Sequence, residues 1–115
     1  YLQQLRKIEP VVTRFFEDCG FTVAKFVGLR CNSPIAIAEV QPDTLRQHLL
    51  EMDGDDIDAI VQVGTNLSMV GLAFEMEEKL GKPVIAINAA TYWHALRANG
   101  ITDQFAGHGR LFETH

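Results

Sequence analysis

The sequence predicts an α/β domain in which an open parallel sheet carries helices on both faces. Short strand-like apolar runs alternate with longer amphipathic runs, and the connections between them are short. The run at residues 57–63 is almost continuously apolar, which is typical of a parallel strand covered on both sides. Right-handed crossovers between the strands then give the simplest topology. All 115 residues, 47% apolar and 22% charged, are expected to form one domain.

The amino-terminal part of the chain predicts a helix followed by a strand. Apolar residues recur at steps of three and four over Leu2–Asp18, which indicates one helical face, and Gly20 should end the helix. These apolar residues are Leu2, Leu5, Ile8, Val11, Val12, Phe15 and Phe16. Pro10 cannot donate an intrahelical hydrogen bond, so a kink or a fresh start is expected near Glu9. Residues 21–29 are rich in Val and Phe and are predicted as a strand.

The rest of the chain predicts alternating helices and strands after a loop. Residues 30–41 should form a loop with a short turn of helix, and Asp43 is a suitable N-cap for the next helix. Further helices are expected at residues 44–52, 67–80 and 89–98, and further strands at residues 57–63 and 84–87. No helix is expected after the glycines of residues 107–110. The acidic residues Asp53, Asp55, Asp56 and Asp58 favour a solvated turn over a metal site.

Composition narrows the functional classes. The net charge is −5 and no run of Lys or Arg could neutralise a phosphate backbone, so nucleic acid is not an expected partner. The apolar runs are far shorter than the roughly 20 residues of a membrane span, and the first ten residues lack the apolar core of a signal peptide. Cys19 and Cys31 are not paired with His at metal-ligand spacing. We therefore expect a reduced, cytoplasmic protein without a bound metal.

Three loops at the carboxyl ends of predicted strands are candidates for a ligand site. They cover residues 30–34, 64–66 and 88–91. Gly64 permits close backbone approach, Thr65 and Asn66 offer donors, and the free N–H groups of a following helix favour an anion. A small carboxylate would suit this turn. The alternative is that Thr65 or Asn66 only caps the helix.

Other residue types give weaker indications of chemistry. The four histidines, His48, His94, His108 and His115, have no Ser or carboxylate at triad-like spacing. His94 lies on a predicted amphipathic helix, where packing or surface exposure is the simpler interpretation. No Gly-x-Gly-x-x-Gly or P-loop spacing occurs, so nucleotide binding has no support.

Four segments together resemble the second half of arylmalonate decarboxylases and maleate cis-trans isomerases, a branch of the aspartate/glutamate racemase superfamily. They are VGTNL at 63–67, LGKPV at 80–84, TYWHALR at 91–97 and GHGRLF at 107–112. The resemblance covers nearly the whole chain. It implies one half of a two-domain racemase-like fold, so we expect a carboxy-terminal half whose own first strand and amino-terminal partner half are missing.

The resemblance also implies a mechanism. In this family the active site lies between two similar halves, each half can supply a thiol, and neither a metal nor an organic cofactor is needed. A thiolate adds to an alkene or returns a proton to a carbanion while N–H groups hold the carboxylate charge. The family's second-half cysteine matches Gly64 here, and Cys31, on another loop, is the candidate substitute for its thiol.

The resemblance implies substrate-binding roles for four further residues. Thr65 and Asn66 match the residues whose amides bind the substrate carboxylate. Tyr1 matches a carboxylate-binding tyrosine, and Asn32 matches a substrate-binding asparagine with an offset in spacing. A glycine at the cysteine position is also similar to the ectoine-utilisation branch. Two functions follow as hypotheses: a cofactor-independent isomerase, racemase or decarboxylase for a small dicarboxylate, or a non-catalytic protein that binds a small acid. A homo-oligomer is compatible with both.

Overall fold

The computed structural model describes the backbone from Leu2 to His115 and the side chains from Ile8 onward. The chain forms two compact units, Tyr1–Val40 and Gln41–His115. In chain order the described elements are α1 Leu2–Asp18, α2 Pro34–Ala38, α3 Pro42–Met52, β1 Ile60–Gln62, α4 Val70–Leu80, β2 Val84–Ala86, α5 Ile87–Ala98 and α6 Arg110–Thr114. None of these helices has the length and apolar character needed to cross a membrane.

The first unit begins with the predicted helix. α1 has the predicted bounds and is continuous through Pro10, so it does not restart near Glu9. Gly20 ends it as expected, with φ at +90°, a value that glycine adopts without steric cost. The Gly20 N–H donates to the carbonyl of Glu17 at 2.9 Å. The ring of Phe21 then meets Phe16 edge-on, with centroids 6.4 Å apart.

The strand predicted at residues 21–29 was wrong. This segment has no regular secondary structure, and Phe21, Phe26 and Val27 are exposed. Val and Phe suit a strand, but a strand also needs a neighbour for its N–H and C=O groups, and no described strand pairs with this one. The loop with a short turn of helix is confirmed. Ser33 caps α2, its Oγ accepting from the Ala36 N–H at 3.1 Å.

The second unit holds the sheet. β1 and β2 pair in parallel with Ile60 opposite Val84 and Gln62 opposite Ala86, and both lie within predicted strands. The described sheet has these two strands, with α4 and α5 packed against β2. Val61 is 40% exposed, so at this residue β1 is not covered on both faces.

Several helix starts in this unit differ from prediction. α3 is capped by Gln41 rather than Asp43, because Pro42 occupies its first turn, where the missing N–H costs nothing. α4 begins at Val70, three residues later than predicted, since residues 65–67 form a turn and a bend. α5 begins at Ile87, directly after β2. The short helix α6 follows Gly109, where no helix was expected.

The core lies in the second unit. Met76 of α4 is fully buried, and the other buried apolar residues are Leu45, Leu49, Ile60, Leu67, Met69, Leu72, Ala73, Val84, Ala86 and Phe112. From Ile8 to Val40 no described side chain is buried. The core is therefore built on β1, β2 and the buried face of α4.

Candidate carboxylate-binding site

A polar turn follows β1 at the carboxyl end of the strand. Gly64, Thr65 and Asn66 form this turn and are exposed. The side-chain amide of Gln62 donates to the Gly64 carbonyl at 2.6 Å. The turn therefore stands at the edge of the sheet where ligands bind in parallel α/β folds.

Asn88 joins this turn to the second strand. β2 ends at Ala86 and α5 starts at the next residue, so Asn88 lies in the first turn of α5. Its Nδ2 donates to the carbonyl of Thr65 at 3.0 Å. Residues 88–91 were predicted as a loop but belong to α5, and the contact is therefore between the 64–66 turn and the start of this helix.

The source of free helical N–H groups is not the one predicted. Because α4 starts only at Val70, its amino terminus does not include Thr65 or Asn66, and neither residue caps it; the N-cap is Met69. The first turn of α5 lies beside Thr65 instead, and its N-cap Ala86 offers no side-chain acceptor. The leading N–H groups of a helix have no intrahelical partners and carry partial positive charge. The helix amino terminus that contacts the turn is therefore that of α5.

Gly64 occupies a backbone conformation that disfavours any other residue. Its φ is +117°, a region that L side chains rarely adopt. Space is available, because a Cβ added there would meet nothing closer than Gln62 Nε2 at 3.8 Å. Backbone strain, and not crowding, thus opposes a cysteine here.

Two of the other predicted site residues belong to the first unit, and one lies outside the described residues. Asn32 is exposed just before α2. Cys31 is half-buried, with its Sγ 4.0 Å from the Leu29 carbonyl. Tyr1 is the residue outside the described range. The binding roles of Tyr1, Asn32 and the 64–66 turn stay predictions.

The histidines and acidic residues are also placed. His48 lies 3.7 Å from a carboxylate oxygen of Glu51, and His94 is exposed on α5. Lys82 pairs with Asp53 at 2.5 Å and donates to the carbonyls of Gly54 and Ile57. Across residues 8–115 no three His, Cys, Asp or Glu side chains come together as metal ligands. The acidic turn is therefore held by a lysine.

A separate cavity of about 300 Å³ lies between α4, β2, the start of α5 and residues 108–115. Glu77 of α4 lines it and is buried. Its carboxylate accepts from the backbone N–H groups of Val84 and Arg110. Sequence reasoning missed Glu77, and it included Asn88 only within the candidate loop at residues 88–91, without its contact to Thr65. A signal for Glu77 was present, because it directly follows Met76 on the buried stripe of α4.

The fold and this edge define a class of protein: an α/β protein with a polar turn at the carboxyl ends of parallel strands, where small ligands bind. Comparison with known families then identifies the chain. The family model described as arylmalonate decarboxylase matches residues 4–112, and the chain belongs to this family. The predicted resemblance to arylmalonate decarboxylases is confirmed, and it supports a decarboxylase or isomerase function of the racemase-superfamily type. Searches of curated proteins and of solved structures found no match.

Proposed function

We propose that the protein is a cofactor-independent decarboxylase or isomerase for a small dicarboxylate or related acid, and that this chain supplies a carboxylate-binding wall of its site. The observation that carries this proposal is the hydrogen bond from Asn88 Nδ2 to the Thr65 carbonyl. It fixes the exposed 64–66 turn beside the amino terminus of α5, where an anion is favoured.

In this proposal the 64–66 turn and the amino terminus of α5 both bind the negative charge of the substrate. The N–H groups of Thr65 and Asn66 and the leading N–H groups of α5 would bind one substrate carboxylate. The same groups would stabilise the enediolate that forms when carbon dioxide leaves or a proton is removed. Preorganised donors of this kind each contribute about two to three powers of ten in rate.

The thiol must come from elsewhere. Gly64 stands at the position of the family's second-half cysteine and carries no side chain. We propose that a partner half of the racemase-like fold supplies the proton donor or nucleophile. The isolated chain should then bind acids without turning them over, since losing an activated nucleophile costs several powers of ten in rate.

A second candidate function is a non-catalytic small-acid-binding protein of a catabolic pathway such as ectoine utilisation. The conformation of Gly64 favours it, because φ at +117° disfavours a cysteine at the family's thiol position. The two candidates share the same binding edge. They differ in whether the complete protein turns a substrate over.

The first test is binding to the isolated chain. Titration of ¹⁵N-labelled chain with maleate and with phenylmalonate should shift the amides of residues 64–66 and 87–89. Asn88→Ala should weaken binding about fivefold or more, because the turn loses its tether. Asn99→Ala is the matched control: Asn99 also donates its Nδ2 to a carbonyl, that of Ala95, at the far end of α5. Binding that is equal in both variants, or shifts confined to other residues, would contradict the proposed wall.

The second test separates the two functions. Turnover of both acids is measured for the protein that contains this chain together with its partner half. Turnover there, with binding only in the isolated chain, supports the enzyme. Binding without turnover in both supports the accessory protein, whereas robust turnover by the isolated chain would overturn the assignment of the thiol to a partner half.

A further inference from the structure

The cavity beside α4 is distinct from the carboxylate edge. Neither the 64–66 turn nor Asn88 lines it. Its walls are mainly apolar and include Val70, Ala73, Phe74, Ile85 and Ala86. A volume of about 300 Å³ lies at the lower end of the range for small-molecule pockets. The cavity could therefore hold a ligand of a few carbon atoms.

A buried carboxylate faces this apolar space. Glu77 is only 6% exposed, and its two oxygens accept from the N–H groups of Val84 at 3.3 Å and Arg110 at 2.7 Å. A carboxylate offers about four acceptor positions, so roughly half remain unused. In the described part of the chain no Lys, Arg or His nitrogen forms an ion pair with Glu77.

The turn before α6 is shaped around this carboxylate. A Cβ on Gly109 would stand 3.0 Å from Glu77 Oε2, a tighter approach than side chains normally make. Gly109 also has φ at +94°, which favours glycine independently. The glycine at this position thus leaves room for the Glu77 carboxylate. Burying a charge without an opposite charge is costly.

The surroundings favour a cation. A smaller depression next to the cavity shares Phe74, Glu77 and Arg110 with it and adds Glu78 and Glu113. Over the two spaces together, the carboxylates of Glu77, Glu78 and Glu113 outnumber the guanidinium of Arg110. Of these three carboxylates only Glu77 lines the cavity itself, which His108, Arg110 and His115 also line. The ring of Phe74 borders both spaces, and aromatic faces attract cations.

We propose that this cavity binds a small apolar monoamine in its protonated form. The ammonium group pairs with Glu77 and fills its unused acceptor positions. The hydrocarbon part lies against Val70, Ala73 and Ile85. A simple acid fits less well, because its carboxylate would approach the buried carboxylate of Glu77.

The test compares two probes of one shape on the unmodified chain. Isoamylamine is protonated at pH 7, whereas isoamyl alcohol has the same hydrocarbon and no charge. In a titration of ¹⁵N-labelled chain, the amine should give saturable shifts at residues 73–77, 84–86 and 108–111. The alcohol should bind at least about tenfold more weakly than the amine, because it lacks the charge-assisted hydrogen bond. Equal affinities, no saturable shifts with the amine, or shifts centred on residues 64–66 would overturn the proposal.

Three variants test whether the carboxylate of Glu77 is the group that binds the amine. Glu77→Gln should weaken amine binding about tenfold, whereas Glu51→Gln, the same change on the exposed surface of α3, should not alter it. Arg110→Ala removes the neighbouring cation and keeps the backbone N–H that bonds Glu77, so amine affinity should hold or rise. A tenfold loss in Arg110→Ala would overturn the assignment. If circular dichroism shows that Glu77→Gln does not fold, the two-probe comparison and Arg110→Ala decide.

Discussion

Gly64 has a backbone conformation that a cysteine would adopt only with strain. A residue with a Cβ at φ near +117° is strained by about 1–2 kcal/mol, and the strain is independent of crowding. The space around Gly64 would accept a Cβ, since its nearest contact would be 3.8 Å away. We propose that the loss of the family's cysteine and the conformation of the turn belong together.

We predict that Gly64→Cys and Gly64→Ala each lower the free energy of unfolding by about 1–2 kcal/mol. Urea denaturation followed by circular dichroism measures the change. Gly71→Ala is the control, because Gly71 lies within α4 at negative φ with nothing within 4 Å of an added Cβ. That variant should instead gain about 0.5–1 kcal/mol. Equal effects of alanine at both positions would show that Gly64 is not held at positive φ in solution.

Arg46 joins α3 to α4 through a paired contact. Its Nε and Nη2 donate to the two carboxylate oxygens of Glu75 at 2.8 and 2.9 Å, and it also pairs with Asp43. The hydrogen bond from Arg46 is the main reason that the pKa of Glu75 is lowered. A carboxyl group with a lowered folded pKa contributes stability above its unfolded pKa and loses it as pH falls through the folded value.

We therefore predict that stability falls between about pH 5 and pH 3 partly through Glu75. Glu75→Gln should make the free energy of unfolding less dependent on pH in this window, and it should leave the pH dependence above it unchanged. Glu78→Gln is the control, since Glu78 lies on the same helix without an ion pair to a described residue. Urea midpoints at each pH give the comparison. The same slope in Glu75→Gln as in the parent chain would contradict the prediction.

At the scale of elements, the sequence pattern was sufficient to predict a helix, whose backbone hydrogen bonds are internal, and a strand that has a neighbouring strand to pair with. The helix Leu2–Asp18 and the strands within residues 57–63 and 84–87 were predicted because periodicity and apolar runs fix them. Residues 21–29 carry the same kind of signal and form no strand, because strand formation depends on a partner that composition does not reveal.

The candidate site divides in the same way. The place of the 64–66 turn followed from the strand before it, and parallel pairing puts the carboxyl ends of β1 and β2 at one edge. The loop predicted at residues 88–91 was wrong, because these residues belong to α5. The contact of Asn88 with Thr65 could not be predicted, because it depends on strand register and on α5 starting without a loop. The sequence pattern locates the carboxyl edge of the sheet, whereas the hydrogen-bond partners at that edge are known only from the three-dimensional structure.

Across the whole molecule the buried core is unevenly distributed. Every buried apolar side chain of the described residues lies between Leu45 and Phe112, while Val11, Phe15 and Ile35 in the first unit are more than 60% exposed. Burial of apolar surface is the main stabilising contribution in a domain of this size. The two units should therefore differ in local stability.

Hydrogen exchange should reveal this difference. We predict that the amides of α4 and of β2, which lies against it, exchange at least about two powers of ten more slowly than those of α1, because few buried contacts oppose opening of α1. Exchange followed by mass spectrometry or NMR on the intact chain measures both sets in one sample. Equal protection of α1 and α4 would mean that α1 gains burial in solution, through self-association or another partner.

The direct join between β2 and α5 has a consequence for how related sequences can diverge. With Ala86 ending the strand and Ile87 starting the helix, no residue at this junction can absorb a change in length. One inserted residue would turn every later position by about 100° around the helix axis, and Asn88 would no longer reach the Thr65 carbonyl. Substitutions can accumulate here while the spacing stays fixed, and insertions should collect in stretches such as residues 99–109, where no helix or strand sets the count.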